Sequence, residues 1–112
     1  MPTLEDLAQD IWDHVCENIK LILQECDMHG LTGILTAPDP SIESRIGALK
    51  KLDSICQVVL DNMNDSQYST SRIMYNAKQQ ILNLEMLLSA AKNCDKASFD
   101  LAKDRLNGQG TH

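Results

Sequence analysis

Apolar side chains recur every three or four residues along most of this chain, and that period restricts it to helices. Leu4, Leu7, Ala8, Ile11, Val15, Ile19, Ile22, Leu23 and Cys26 fall on one line, the spacing that gathers side chains on one face of an α-helix. Ile42, Leu49, Cys56 and Met63 then lie seven apart, with Leu52 and Val59 at the second core position of the same heptads. Ile46 and Ile55 widen that stripe. Ile73, Ala77, Ile81, Leu84, Leu88 and Ala91 form a third line, widened by Met74 and Leu87. No segment alternates apolar and polar residues long enough to make a strand. Leu, Ile, Ala and Met supply most of the apolar mass. Trp12, Tyr68, Tyr75 and Phe99 are the only aromatics, a composition that suits helices better than strands.

Capping signals divide the periodic segments. Thr3, with Asp6 three residues on, resembles a capping box, and Gly30 is placed to close the first helix in a left-handed cap. That helix is expected over about 4–28, a length of about 37 Å. Asp39-Pro40 reads as an N-cap followed by proline at the first helical position, starting a second helix over about 40–63. Gly47 sits inside it, where it weakens the helix by about 1 kcal/mol relative to Ala, and where it suits a close backbone approach. A third helix is expected over about 67–93. Asn93-Cys94-Asp95 either breaks it, with Asp95 capping a short fourth helix over about 95–106, or lies within one continuous helix. Asn107-Gly108 should end the last helix, leaving 109–112 frayed. The segment GLTGILTAPDP at 30–40 has too many glycines and prolines for a helix throughout. Its Leu31, Ile34 and Leu35 should pack across the end of the bundle. The expected fold is all-α, a single domain over 1–108. It is an antiparallel bundle of three long helices, with or without the short fourth.

Charge is uneven. The net charge is −6, yet residues 1–44 carry −8 and residues 45–112 carry +2. Acidic surface repels phosphate backbones and anionic lipid, so neither nucleic acid nor membrane is an expected partner. No apolar run is long enough to cross a bilayer. The N-terminus opens with acids rather than a charged-then-apolar leader, so a cytoplasmic location is expected, with the nucleus as the other option. Cys16, Cys26, Cys56 and Cys94 make no CxxC pair, which fits reduced thiols. Asn64-Asp65-Ser66 matches a glycosylation sequon by chance on this reading.

Four acids, Asp6, Asp10, Asp13 and Glu17, are spaced four, three and four apart and stack along one side of the first helix. Acids near a helix N-terminus favour its dipole, which accounts for Asp6 and part of Asp10. Asp13 and Glu17 lie too far in. They are either a solvated face, a docking face for a basic segment, or partners of Arg45, Lys50 or Lys51 from the second helix. Cys26 and His29 have metal-ligand spacing, but no second pair completes a zinc site, so no metal or cofactor is expected. His14 stands among carboxylates without a nucleophile set by a motif, so no catalytic residue is assigned. Ser66, Tyr68, Ser69, Thr70 and Ser71 cluster at the start of the third helix. Capping explains them. Phosphorylation at Ser69, Thr70 or Ser71, beside Arg72, is the sharper reading.

The second and third helices carry more apolar residues than a three-helix bundle buries. The surplus includes Ile46, Ile55, Val58 and Leu60 on one, Leu82, Met86 and Leu87 on the other. A fourth helix or a partner must cover them. In length and helix count the outline is similar to small helical docking modules such as BAG domains and focal-adhesion targeting bundles. No residue motif carries that similarity, and no functional residue is transferred. The expected function is a non-catalytic protein–protein interaction module, an adaptor or a small subunit of an assembly. Val58, Leu82 and Met86 would line an apolar groove between the second and third helices. That groove would take a helical partner whose basic flanks meet Asp6, Asp10, Asp13 and Glu17. The alternative is a structural, coiled-coil-like homodimer.

Overall fold

A computed structural model describes residues 2–110. Its elements are α1 (Leu4–Glu25), α2 (Thr32–Thr36), α3 (Ile42–Asp61), α4 (Tyr68–Lys92) and α5 (Lys96–Gly110), with single 3-10 turns at His29–Leu31 and Asp65–Gln67. No strand occurs among the described residues.

The capping chemistry explains most boundaries. The Thr3 hydroxyl accepts from the Asp6 amide at 3.1 Å, and the Asp6 carboxylate accepts from the Thr3 amide at 3.1 Å, the reciprocal capping box read from the sequence. At the other end of α1 the expectation fails. Asp27, not Gly30, takes the left-handed conformation, at φ 60°. The Met28 amide donates to the Leu23 carbonyl at 2.8 Å and the Asp27 amide to Gln24 at 3.0 Å, a complete Schellman closure. The same motif breaks α4 from α5. Cys94 has φ 54°, while the Asp95 and Cys94 amides reach the Ala90 and Ala91 carbonyls. Asp95 then caps α5 by accepting from the Ser98 amide at 3.1 Å.

Two further boundaries differ from expectation. Asp39 does not cap α3. It accepts from the Ser41 amide in a local turn at 2.8 Å, and Ser41 is the cap, accepting from the Ser44 amide at 3.1 Å. Asn107-Gly108 does not stop α5, which continues to Gly110. Of the tail expected to fray, Thr111 and His112 lie outside the described residues. Gly47 admits no close neighbour either. A Cβ built there would meet nothing within 4 Å.

α4 is the central helix. Its last turn meets the first turn of α3 through Lys92 and Glu43 at 3.5 Å. Asp53 to Lys78 at 3.2 Å and Lys50 to Glu85 at 4.0 Å continue the contact down the pair. α3 therefore runs antiparallel to α4. Cys26, just past α1, reaches the Thr70 carbonyl at 3.9 Å, so α1 is antiparallel to α4 as well. The tight turn at 93–95 makes α5 the third antiparallel neighbour. α1 and α3 consequently run the same way, and residues 26–41 carry the chain back along the bundle. This return segment packs along the flank of α1 and α3 rather than across the bundle end. Leu35 of α2 is buried there, in a cleft with Trp12, Cys16 and Arg45.

Ile19, Leu23, Leu49, Leu52, Met74, Ile81, Leu84, Leu87 and Leu88 are all almost fully buried. Each contributes roughly 1.5–3 kcal/mol of transfer energy. Trp12 is buried as well. Phe99, Ala102 and Leu106 turn from α5 into the same core. On α4 the heptad line Ser69, Asn76, Asn83, Ala90 shows how far α5 reaches. Asn83 and Ala90 are buried where α5 lies, whereas Ser69 and Asn76 are exposed beyond its end.

Candidate functional site

The four acids of α1 are all exposed, but they are not four free charges. Asp6 is held in the capping box. Asp13 accepts from the Gln9 amide group at 3.1 Å, and Gln9 in turn accepts from Arg45. Glu17 pairs with Lys20 at 3.3 Å. Asp10 makes no such contact among the described residues. Arg45 reaches across from α3 and lies over the Trp12 ring, 5.0 Å from its centroid. The stripe thus borders a mixed-charge cleft of about 420 Å³ lined by Trp12, Asp13, Cys16, Glu17, Lys20 and Arg45, among others. Burial pushes the Cys16 thiol up to about 12, so at neutral pH it is a protonated, poorly nucleophilic group. Lys20 and Arg45 oppose that shift only in part.

Two exposed leucines adjoin the acids. Leu7 is 38% exposed and Leu21 62%, and with His14 they form a seven-residue line on the outer side of α1. By helical spacing that line lies about 20–80° from Asp10 and Glu17. Leu7, expected on the apolar line of α1, faces out instead, and Leu21 stands off that line, out of step with the core period. The sequence signal for this surface is the repeat Leu7–His14–Leu21 taken together with Asp10 and Glu17.

Val58, Leu82 and Met86, expected to line one groove between the second and third helices, do not share one. Val58 is 59% exposed on the side of α3 turned away from α4. It lies about 140° around that helix from Asp53, which faces Lys78. The α3–α4 seam itself is filled by Leu49, Leu52, Cys56 and Leu60. Leu82 and Met86 do lie together, on the one side of α4 that α1, α3 and α5 leave uncovered. Leu82 is 36% exposed and Met86 partly buried. Tyr75, 51% exposed, and Tyr68, 66% exposed, continue the same strip. Seven-residue steps from Tyr68 through Tyr75 to Leu82 were the signal for both tyrosines. Leu82 and Met86 lie about 120–160° around α4 from Thr70, which touches the α1 terminus. The apolar strip and the acidic face therefore occupy different sides of the bundle.

Ser69 is exposed, and Thr70 and Ser71 are half-buried in the first turn of α4. The Ser71 hydroxyl donates to the Tyr68 carbonyl at 2.8 Å, a local capping role. Arg72 stacks over Tyr68 at 6.0 Å. Cys26 and His29 are not joined by other ligands, and no cluster of three or more His, Cys, Asp or Glu occurs among the described residues. No described helix is long and apolar enough to cross a membrane. Compared with models of known families, with characterised proteins and with solved structures, the chain matches none.

Proposed function

We propose that this protein is a non-catalytic interaction module whose outer α1 face binds a helical partner segment with basic flanks. One observation carries the reading: exposed Leu7 and Leu21 lie beside Asp10 and Glu17 on one side of a single, well-capped helix. Apolar contact supplies affinity there, and opposite charge supplies steering and register. The ion pair of Glu17 with Lys20 and the exposure of Asp10 and Asp13 support a rim role, in which charges guide encounter rather than bind deeply. The apolar half of the surface moves from the α3–α4 seam, which is filled, to the leucines of α1. Binding rather than catalysis also fits the Trp12 cleft, where the nearest thiol is held protonated.

The test compares proteins retained from cell extract on three immobilised chains: wild type, Asp10→Lys with Asp13→Lys, and Leu21→Glu. The expected result is a partner held by wild type, released as salt is raised, and lost on both variants. An identical set retained on all three chains refutes the reading.

A further inference from the structure

The uncovered side of α4 points to a second partner, and its charges say which. Two ion pairs border the Tyr75–Leu82–Met86 strip where α4 meets α3. In one, Lys78 of α4 faces Asp53 of α3 at 3.2 Å. In the other, Glu85 of α4 faces Lys50 of α3 at 4.0 Å. The two pairs straddle Leu82, four residues before it and three after, and their signs are swapped between the helices. We propose that a second copy of this chain covers the strip, with its α4 antiparallel and a two-fold axis passing at the level of Leu82.

That axis exchanges the two ends of the strip and lays α3 of one copy against α3 of the other. The Lys78–Asp53 pair of one copy then overlies the Glu85–Lys50 pair of its mate. Every base meets an acid and every acid a base, so the rim is complementary to itself. Leu82 packs on Leu82 across the axis. Tyr75 comes within about one turn of Met86 in the other copy, a favourable sulfur–aromatic approach. A strongly basic or acidic partner gains nothing from this rim, because its signs alternate. The −6 charge of the chain opposes pairing in general, but the acids of α1 lie on another side, away from the interface. Burial raises the pKa of the Glu85 carboxyl, with Lys50 opposing, so a further base above it improves its environment. From Tyr75 to Ser89 the strip runs about 21 Å. The interface is then at the small end of specific contacts, below ~1,200 Å² in total, and pairing is correspondingly weak. The surface is distinct from the α1 face, so each reading stands or falls alone.

Sedimentation velocity of the full chain tests it, from about 1 µM to about 500 µM, the range where weak pairing shows. The wild-type mass should climb from 12.5 kDa toward twice that value. Leu82→Glu should remain monomeric, whereas Asp10→Lys with Asp13→Lys should pair like wild type. An all-acid rim (Lys50→Glu, Lys78→Glu) and an all-base rim (Asp53→Lys, Glu85→Lys) should each remain monomeric alone and form a heterodimer when mixed. Far-UV circular dichroism confirms that each variant is folded, and Leu82→Glu serves if a rim variant is not. A wild-type chain that stays at 12.5 kDa throughout, pairing unaffected by Leu82→Glu, or folded rim variants that do not combine would overturn the proposal.

Discussion

Replacing Cys94 by glycine should stabilise this protein, although the change removes a side chain and adds no contact. Cys94 holds φ 54° at the closure of α4, a region that costs an L-residue roughly 1–2 kcal/mol. Glycine removes that penalty but gains freedom in the unfolded chain, which offsets roughly 0.5–1 kcal/mol. The cysteine is exposed, and its side chain adds nothing to the core that would be lost. The net gain is then about 0.5–1 kcal/mol, the order of 2–8 °C in melting temperature for a chain of this size. Asp27, at φ 60°, supplies the control. Aspartate tolerates the left-handed region better than most residues. Its contact with His29, at 3.9 Å between largely exposed side chains, is worth little. Asp27→Gly should therefore gain less than Cys94→Gly, close to zero. Urea and thermal unfolding of the two variants, under reducing conditions, measure the difference. Destabilisation by Cys94→Gly, or a larger gain at Asp27, would refute the argument from backbone strain.

Two other outcomes follow from local geometry. Gly47→Ala should stabilise α3 by about 0.5–1 kcal/mol, since the added methyl meets open space in a helix interior; a lower melting temperature would show that the site is crowded after all. Hydrogen bonds from the Ser98 side chain and then its backbone hold the Asp95 carboxyl below its usual value. Its stabilising contribution is therefore complete above the unfolded carboxyl pKa of about 3.9 and lost as pH falls through the folded value. Asp95→Asn should show a shallower loss of melting temperature between about pH 5 and pH 2 than wild type, and parallel curves would contradict this assignment.

The helical lines were legible in the sequence because apolar spacing is a direct record of which face is buried. Most of the α1 stripe, the heptads Leu49, Leu52 and Cys56 of α3 and most of the apolar band of α4 turn inward, whereas Leu7 and Leu82 face out. Caps made by Thr3 and Asp95 were legible too, because a short polar side chain before an apolar run has one common use. Left-handed closures were not. Glycine is the usual signal for them, and here Asp27 and Cys94 perform the task while Gly30 lies in a 3-10 turn. The candidate site was only half visible. Period alone shows that α4 has surplus apolar surface. Which part α5 covers depends on how far α5 runs, and Asn107-Gly108 hid that length. Val58 and Leu82 looked equivalent in one dimension. The rotation of α3 about its axis, set by Leu49, Leu52 and Cys56, sends Val58 outward.

The return segment at 26–41 also sets an order of assembly. α3, α4 and α5 follow one another through short turns, so their contacts close small loops. α1 meets α4 only across a separation such as the 44 residues from Cys26 to Thr70. Longer loops lose more chain entropy on closing. The three C-terminal helices should therefore form first, with α1 added last and released first, an order that pulsed hydrogen exchange would read. On that order, the surface that carries the acids and exposed leucines should be fixed in place only when α1 docks.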